Sequence, residues 1–205
     1  MIFNHSKFSE INERKLVSSI NNAIPNGSEL NFMDFGCGIA CLYEKINHNQ
    51  FVLFDQNEET LNFHKESTSK DLIIIHSLDE LLTRNIRVDV VMFNSVIQYI
   101  NKVDLIEIIE FFTTNFPSIK IIISDIPVHN RLLEFLYLPF TNTRDIITIY
   151  IDIVTNITNK EYKDLCFFTY EVDFFKSIKG VDVEIMNNFY LFRTRYSVVI
   201  SKAVN

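Results

Sequence analysis

The residues of this chain best suited to chemistry cluster early. Gly36 and Gly38 sit in the run Asp34-Phe35-Gly36-Cys37-Gly38-Ile39-Ala40, at the end of an apolar stretch that begins at Leu30. Paired glycines at a strand end let the backbone turn sharply and approach a ligand with no side chain in the way. The chain has only 4 glycines, so two in one turn weigh against a plain connector. Asp55 closes the next apolar run, 21 residues beyond Asp34, where a carboxylate can accept hydrogen bonds from ribose hydroxyls. It also reads as a helix N-cap ahead of Glu58 and Glu59, and the two roles are compatible. A dinucleotide site wants a small residue where Cys41 stands, and Asp34 would repel a pyrophosphate. That carboxylate suits a cationic ligand carrying an ammonium and a sulfonium.

A second group lies downstream. His129 follows Asp125-Ile126-Pro127-Val128 and reads either as a general base facing the site or as a solvated loop histidine. Arg131 and Arg144 read as clamps for a carboxylate or phosphate, or as ordinary surface arginines. Phe135, Tyr137, Leu138 and Phe140 read as an apolar lid or, preferably, the buried face of a helix. Arg193 and Arg195 alternate with Phe192 and Tyr196 as on an exposed sheet face. Cys37, Cys41 and Cys166 follow no metal-ligand spacing, and an odd count argues against a disulfide framework. No metal is expected, and a reducing cytoplasm is the simplest location.

Net charge narrows the partners. The 205-residue chain carries 19 Lys+Arg against 26 Asp+Glu, a formal charge of -7. Such a surface lacks the broad cationic stripe that phosphate backbones select, so no nucleic-acid substrate is expected. With 47% hydrophobic and 22% charged residues the composition is that of one globular domain spanning 1–205. No signal peptide is expected at the N-terminus, and no run of about 18 apolar residues spans a membrane.

These side chains need elements to position them. Ser9–Ile24 reads as a helix within an N-terminal segment 1–28, closed by Pro25-Asn26-Gly27-Ser28. Apolar runs then recur at Leu30–Phe35, Phe51–Phe54, Leu72–Ile75, Val88–Phe93 and Ile119–Ser124. Helix-length segments lie between them, including one from Ile39, one at Asn57–Ser67 and one at Lys102–Asn115. Uninterrupted apolar runs mark strands covered on both faces, and this alternation predicts a doubly wound α/β sheet. Thr169 is placed as the cap of a helix over Tyr170–Ile178. Val181–Met186 and Tyr190–Ser201, joined by Asn187-Asn188, predict an antiparallel hairpin at a sheet edge. Residues 126–168 read as a helical cap inserted after strand 5, near the carboxyl ends where open α/β sheets bind ligands.

The run Asp34–Ala40 resembles the first motif of the class I, Rossmann-like S-adenosylmethionine-dependent methyltransferases, with Ala40 in place of a frequent third glycine. The resemblance continues through Phe51–Asp55, Val88–Ile100, Ile121–Pro127 and the closing Thr169–Ser201, and omits only the insertion. It implies a mostly parallel seven-stranded sheet with S-adenosylmethionine as cofactor and S-adenosylhomocysteine as product. By the same resemblance, Gly36 and Gly38 pass beneath the methionine moiety and Asp34 helps hold its amino group. Asp55 takes the ribose hydroxyls, Gln56 lies beside the adenine, and His76-Ser77-Leu78 closes over its edge. Many relatives have an acid where Ser77 stands. Asn94 and Ser95 line the boundary between cofactor and acceptor, and Gln98 stands where some relatives have histidine.

Methyl transfer is a displacement in which the protein mainly aligns the nucleophile and excludes water; a hydroxyl acceptor also needs a base. The expectation is therefore a methyltransferase acting on a small molecule, on oxygen of a metabolite, sugar or natural product. His129 is the catalytic candidate, with Gln98 and Arg131 contacting the acceptor. The rivals are a cofactor-binding, methyltransferase-like subunit without activity of its own and a nicotinamide-dependent reductase.

Overall fold

The computed structural model describes residues 14, 16–21, 24, 26–66, 72–127, 168–186 and 195–203. Seven strands form one sheet: β1 (Asn31–Phe35), β2 (Gln50–Phe54), β3 (Leu72–Ile75), β4 (Val90–Asn94), β5 (Lys120–Pro127), β6 (Val181–Met186) and β7 (Arg195–Lys202). Their order is β3-β2-β1-β4-β5-β7-β6. The first five are parallel, and β7 lies antiparallel between β5 and β6. This is the doubly wound sheet with an antiparallel closing pair that the sequence predicts.

The strand runs are predominantly apolar because each face of the sheet has its own core. Met33, Phe35, Val52, Val91, Phe93, Ile121 and Ile123 enter one, and Phe32, Phe51, Leu53, Val90, Met92 and Ile122 enter the other. From β1 the chain builds outward to β2 and β3, then returns to add β4 on the other side. Ligands of open α/β sheets bind at such a reversal, beyond the carboxyl ends of the strands.

Helices α1 (Glu58–Glu66), α2 (Asp79–Thr83), α3 (Lys102–Asn115) and α4 (Val172–Lys176) connect them. Residues 16–21 are helical, with Leu16 and Ile20 buried in the second core. Helix α3 has the predicted bounds because its local signals are strong: the Asn101 side chain accepts from the Val103 and Asp104 N–H groups. Helix α2 ends in a Schellman motif. Asn85, at φ 51°, donates to Leu82 O, and Ile86 N donates to Leu81 O. Among the described residues no helix is long and apolar enough to cross a membrane.

Three expectations are corrected. No α-helix follows the glycine turn; Leu42–Glu44 is a single 3-10 turn, and Cys41 before it has φ -92° and ψ 58°. The whole β1–β2 crossover is residues 36–49, and Leu42, Tyr43 and Ile46 within it drop into the second core. That length is close to the minimum for a parallel connection and leaves no room for several helical turns. Secondly, Asp55 is not the N-cap of α1. Asn57 is, accepting from Glu59 N at 2.9 Å.

The third correction concerns α4, which starts at Val172 behind Glu171, with no side-chain cap from Thr169. Tyr170 belongs to the core instead: its ring is fully buried, its hydroxyl donates to Ile100 O, and its carbonyl accepts from the Tyr196 hydroxyl at 3.0 Å. A carbonyl and side chain committed in this way hold the residue outside the helix. The Asn187-Asn188 turn and most of the 126–168 insertion lie outside the described residues.

Candidate functional site

Asp34 is the penultimate residue of β1, on the same face as Phe32 and paired in register with Leu53 of β2 and Met92 of β4. It is 1% exposed, and its Oδ1 has no hydrogen-bond partner among the described residues. Desolvation, and secondly the charge on Asp55, push its pKa up from 3.8 to about 7. A carboxyl this buried and this poorly satisfied is uncommon in a fold core, and calls for a ligand with donors and positive charge.

The glycine turn begins directly after this strand. Gly36 N and Cys37 N both donate to Phe54 O, at 2.8 and 3.1 Å, which ties the turn to the end of β2. Gly36 has φ 73°, and a Cβ there would lie 2.4 Å from Val96 Cγ2. Only glycine fits between the turn and the segment after β4. Gly38 has φ 53°, and a Cβ on it would meet nothing within 4 Å. The turn therefore packs tightly at its first glycine and is open at its second.

Gly38 is held from both sides by the β2–α1 unit. Its N–H donates to Asp55 Oδ2 at 3.0 Å, while Asp55 Oδ1 accepts from Asn57 N at 2.8 Å. Its carbonyl lies 2.7 Å from His64 Nε2. A carbonyl only accepts, so Nε2 carries the hydrogen. His64 is 1% exposed, sits edge-on to Tyr43 and leaves its buried Nδ1 without a partner. The sequence reading passes over this residue. A histidine two turns into an amphipathic helix gives no local sign that it reaches a loop 26 residues earlier.

The remaining candidates divide by position. Gln56 is exposed beside Asp55, and Ser77 is exposed after β3. Glu80 Oε1 accepts from His76 N at 2.8 Å and Ser77 N at 3.3 Å. The bond from His76 N, then that from Arg84, and lastly the one from Ser77 N hold the Glu80 carboxyl below its usual value. The nearby acid thus braces the loop backbone. Asn94 and Ser95 are half-buried at the end of β4, and Val96 brings that segment against Gly36. Gln98 is 5% exposed; its Nε2 donates to Ser95 O at 2.8 Å, and its Oε1 is buried without a partner. His129, Arg131 and Arg144 lie outside the described residues. No group of three or more metal-ligating side chains occurs among the described residues.

Asp125 is a second residue the sequence reading passes over as a site, although it stands at the end of an isoleucine-rich strand. Ser95 Oγ donates to Asp125 Oδ2. Both residues have positive φ, 55° and 62°. In β5 the pairing with β7 shifts between Ile123 and Ile126, so a bulge lies at Ser124–Asp125.

Sheet order, connectivity and the turn at the switch point define the fold of the class I methyltransferases. Solved structures share it at low identity. The methyltransferase domain of bacterial CtHen1-C superposes with a TM-score of 0.56 and 13% identity, covering 93% of this chain and 98% of that one. Magnesium protoporphyrin IX methyltransferase from Synechocystis, with bound S-adenosylhomocysteine, gives 0.59 and 12%, covering 98% and 90%. The small RNA methyltransferase HEN1 gives 0.60 and 14%, covering 100% of this chain and 26% of that one. No protein-family model matches the chain, and no curated protein matches it in sequence.

Proposed function

We propose that this chain binds S-adenosylmethionine and transfers its methyl group to a small-molecule acceptor. The observation that carries the reading is Asp34: a buried carboxylate with an unpartnered oxygen, at the switch point of the sheet and at the root of an open glycine turn. A methionine ammonium would satisfy that oxygen and stabilise the ionised form. The cofactor supplies an electrophilic methyl on a sulfonium. The chain's own contribution is to bind, orient and shield. Asp34 would hold the ammonium, Gly36 and Gly38 would pass beneath the methionine moiety, and Asp55 would meet the ribose hydroxyls. Gln56 and Ser77 would border the adenine.

A nicotinamide reductase is disfavoured by the same geometry. Pyrophosphate binding relies on the N-terminus of a helix behind the glycine turn. Here a three-residue 3-10 turn containing Glu44 stands in that place, and Asp34 lies at the root of the turn. A small-molecule acceptor fits the net charge of -7. The protoporphyrin enzyme offers one such precedent on this fold. Beyond β5, His129 is proposed as the base for a hydroxyl proton, and Arg131 as a clamp for an anionic group of the acceptor. Titration calorimetry with S-adenosylhomocysteine tests the cofactor assignment. Binding that weakens in Asp55→Ala is the expected result, and no heat with the folded wild-type chain overturns it.

A further inference from the structure

No α-helix follows the glycine turn, so no helical ladder aligns the peptides at its end; the chain runs from Gly38 to the short turn at Leu42–Glu44. The amides up to that point are committed. Gly36 N and Cys37 N donate to Phe54 O, and Gly38 N donates to Asp55 Oδ2. Ile39 N is the first in the run with no acceptor among the described residues. Its direction is set by whatever holds the carbonyl at the other side of the same peptide plane.

His64 holds that carbonyl. Its Nε2–H donates to Gly38 O at 2.7 Å. The Gly38–Ile39 peptide is trans and planar, so its N–H points opposite to its carbonyl. With the carbonyl fixed on α1, the Ile39 N–H points away from α1. The imidazole is itself enclosed: it is 1% exposed and sits edge-on to Tyr43 and Phe63, with ring centroids 5.7 and 5.3 Å away. The Tyr43 hydroxyl reaches Cys41 Sγ at 3.5 Å, so the connection closes round the imidazole from Gly38 to Tyr43. Packing alone does not account for a histidine here. A phenylalanine or leucine would fill the space, whereas the imidazole buries Nδ1 with no partner among the described residues, which is unfavourable. What histidine adds is a donor at Nε2, and Gly38 O receives it.

Resting on the cofactor reading above, we propose that His64 is a positioning residue for the amino-acid end of the cofactor: through the Gly38 carbonyl it aims the Ile39 N–H at the carboxylate of the methionine moiety. The zwitterion is then read by complementary groups, Asp34 accepting from the ammonium and Ile39 donating to the carboxylate. His64 touches neither charge and sets only the direction of the donor.

S-adenosylhomocysteine and its decarboxylated form differ only in that carboxylate, so they isolate the contact. Calorimetry gives the ratio of their affinities for the wild type, His64→Phe and His64→Gln. Phenylalanine keeps a ring without a donor, and glutamine places an amide nitrogen where Nε2 stands. The wild type should prefer S-adenosylhomocysteine by about tenfold or more, the scale of a hydrogen bond to a charged group. His64→Phe should lose most of that preference while binding the decarboxylated compound as the wild type does, and His64→Gln should keep it. An unchanged ratio in His64→Phe overturns the proposal, as does loss of the preference in His64→Gln. So does an equal loss of both ligands, which leaves the imidazole as a brace for the fold. The Ile39 amide of the isotope-labelled wild type gives a reading that needs no variant. Its proton resonance should move downfield with S-adenosylhomocysteine and not with the decarboxylated compound, and equal shifts overturn the proposal as well. A wild type that binds neither ligand overturns the cofactor reading itself.

Discussion

Replacing Asp34 by asparagine keeps the shape of the side chain and removes its titration. In the ligand-free protein, burial and then the charge on Asp55 raise this carboxyl from 3.8 to about 7. Between those values the folded state holds a proton that the unfolded state has released. The neutral carboxyl's contribution to stability is therefore fully present below the unfolded value and is lost as pH rises through 7. The two values lie about three pH units apart, and at about 1.4 kcal/mol per unit the ionised form destabilises the wild type by about 4 kcal/mol above pH 7. Asp34→Asn carries no such term. Urea unfolding of both proteins at pH 5, 6, 7 and 8, without ligand, reads the difference. The variant's stability relative to wild type should grow by about 2 kcal/mol from pH 5 to pH 7 and level off above. Any constant offset from the amide's own fit drops out of that slope. Parallel stability curves across the window would refute the argument, because they require an Asp34 that is already ionised and well solvated in the fold.

The same carboxyl makes ligand binding pH-dependent: an ammonium needs the ionised form, so affinity for S-adenosylhomocysteine should fall as pH drops below 7. Calorimetry near pH 6 should show proton release as a dependence of the heat on buffer, absent in Asp34→Asn. Gly36→Ala forces a Cβ to 2.4 Å from Val96 Cγ2 at a φ of 73°. It should destabilise the chain by about 2–4 kcal/mol in urea, and Val96→Ala in the same chain should restore only the steric part. His64→Ala frees the Gly38 carbonyl and should weaken S-adenosylhomocysteine by about tenfold in titration calorimetry. Asn101→Ala removes both cap bonds of α3 and should cost about 1 kcal/mol in urea, with ligand affinity unchanged.

The parts of the molecule legible in the sequence are those decided by near neighbours. The apolar runs of β1 to β5 declare themselves because both faces are buried. Helix α3 is readable to the residue because Asn101 caps it three positions from Asp104, and Asn26 and Gly27 mark a turn where one occurs. The illegible parts depend on distant partners. Nothing local says that Leu42, Tyr43 and Ile46 will be drawn into a core as a 3-10 turn instead of continuing a helix. Tyr170 leaves its predicted helix because of Ile100 and Tyr196. Among the candidate site residues, Asp34, the glycines and Asp55 are legible from spacing along two adjacent strands. His64 and Asp125 are not, since each acquires its role from a residue 26 or 30 positions away.

The chain leaves the described sheet at Pro127, at the end of β5, and re-enters it at Phe168, whose N–H donates to Gln98 O at 2.8 Å. Both anchors stand by the carboxyl ends of β4 and β5, close in sequence to Ser95 and Asp125. The free energy of closing a loop between fixed ends rises by only about 0.6 kcal/mol for each doubling of its length. By that relation, the number of residues between these two anchors has only a weak effect on the cost of holding the anchors together. The two ends of that stretch are thus set by the sheet and by the segment after β4, whatever their separation along the chain.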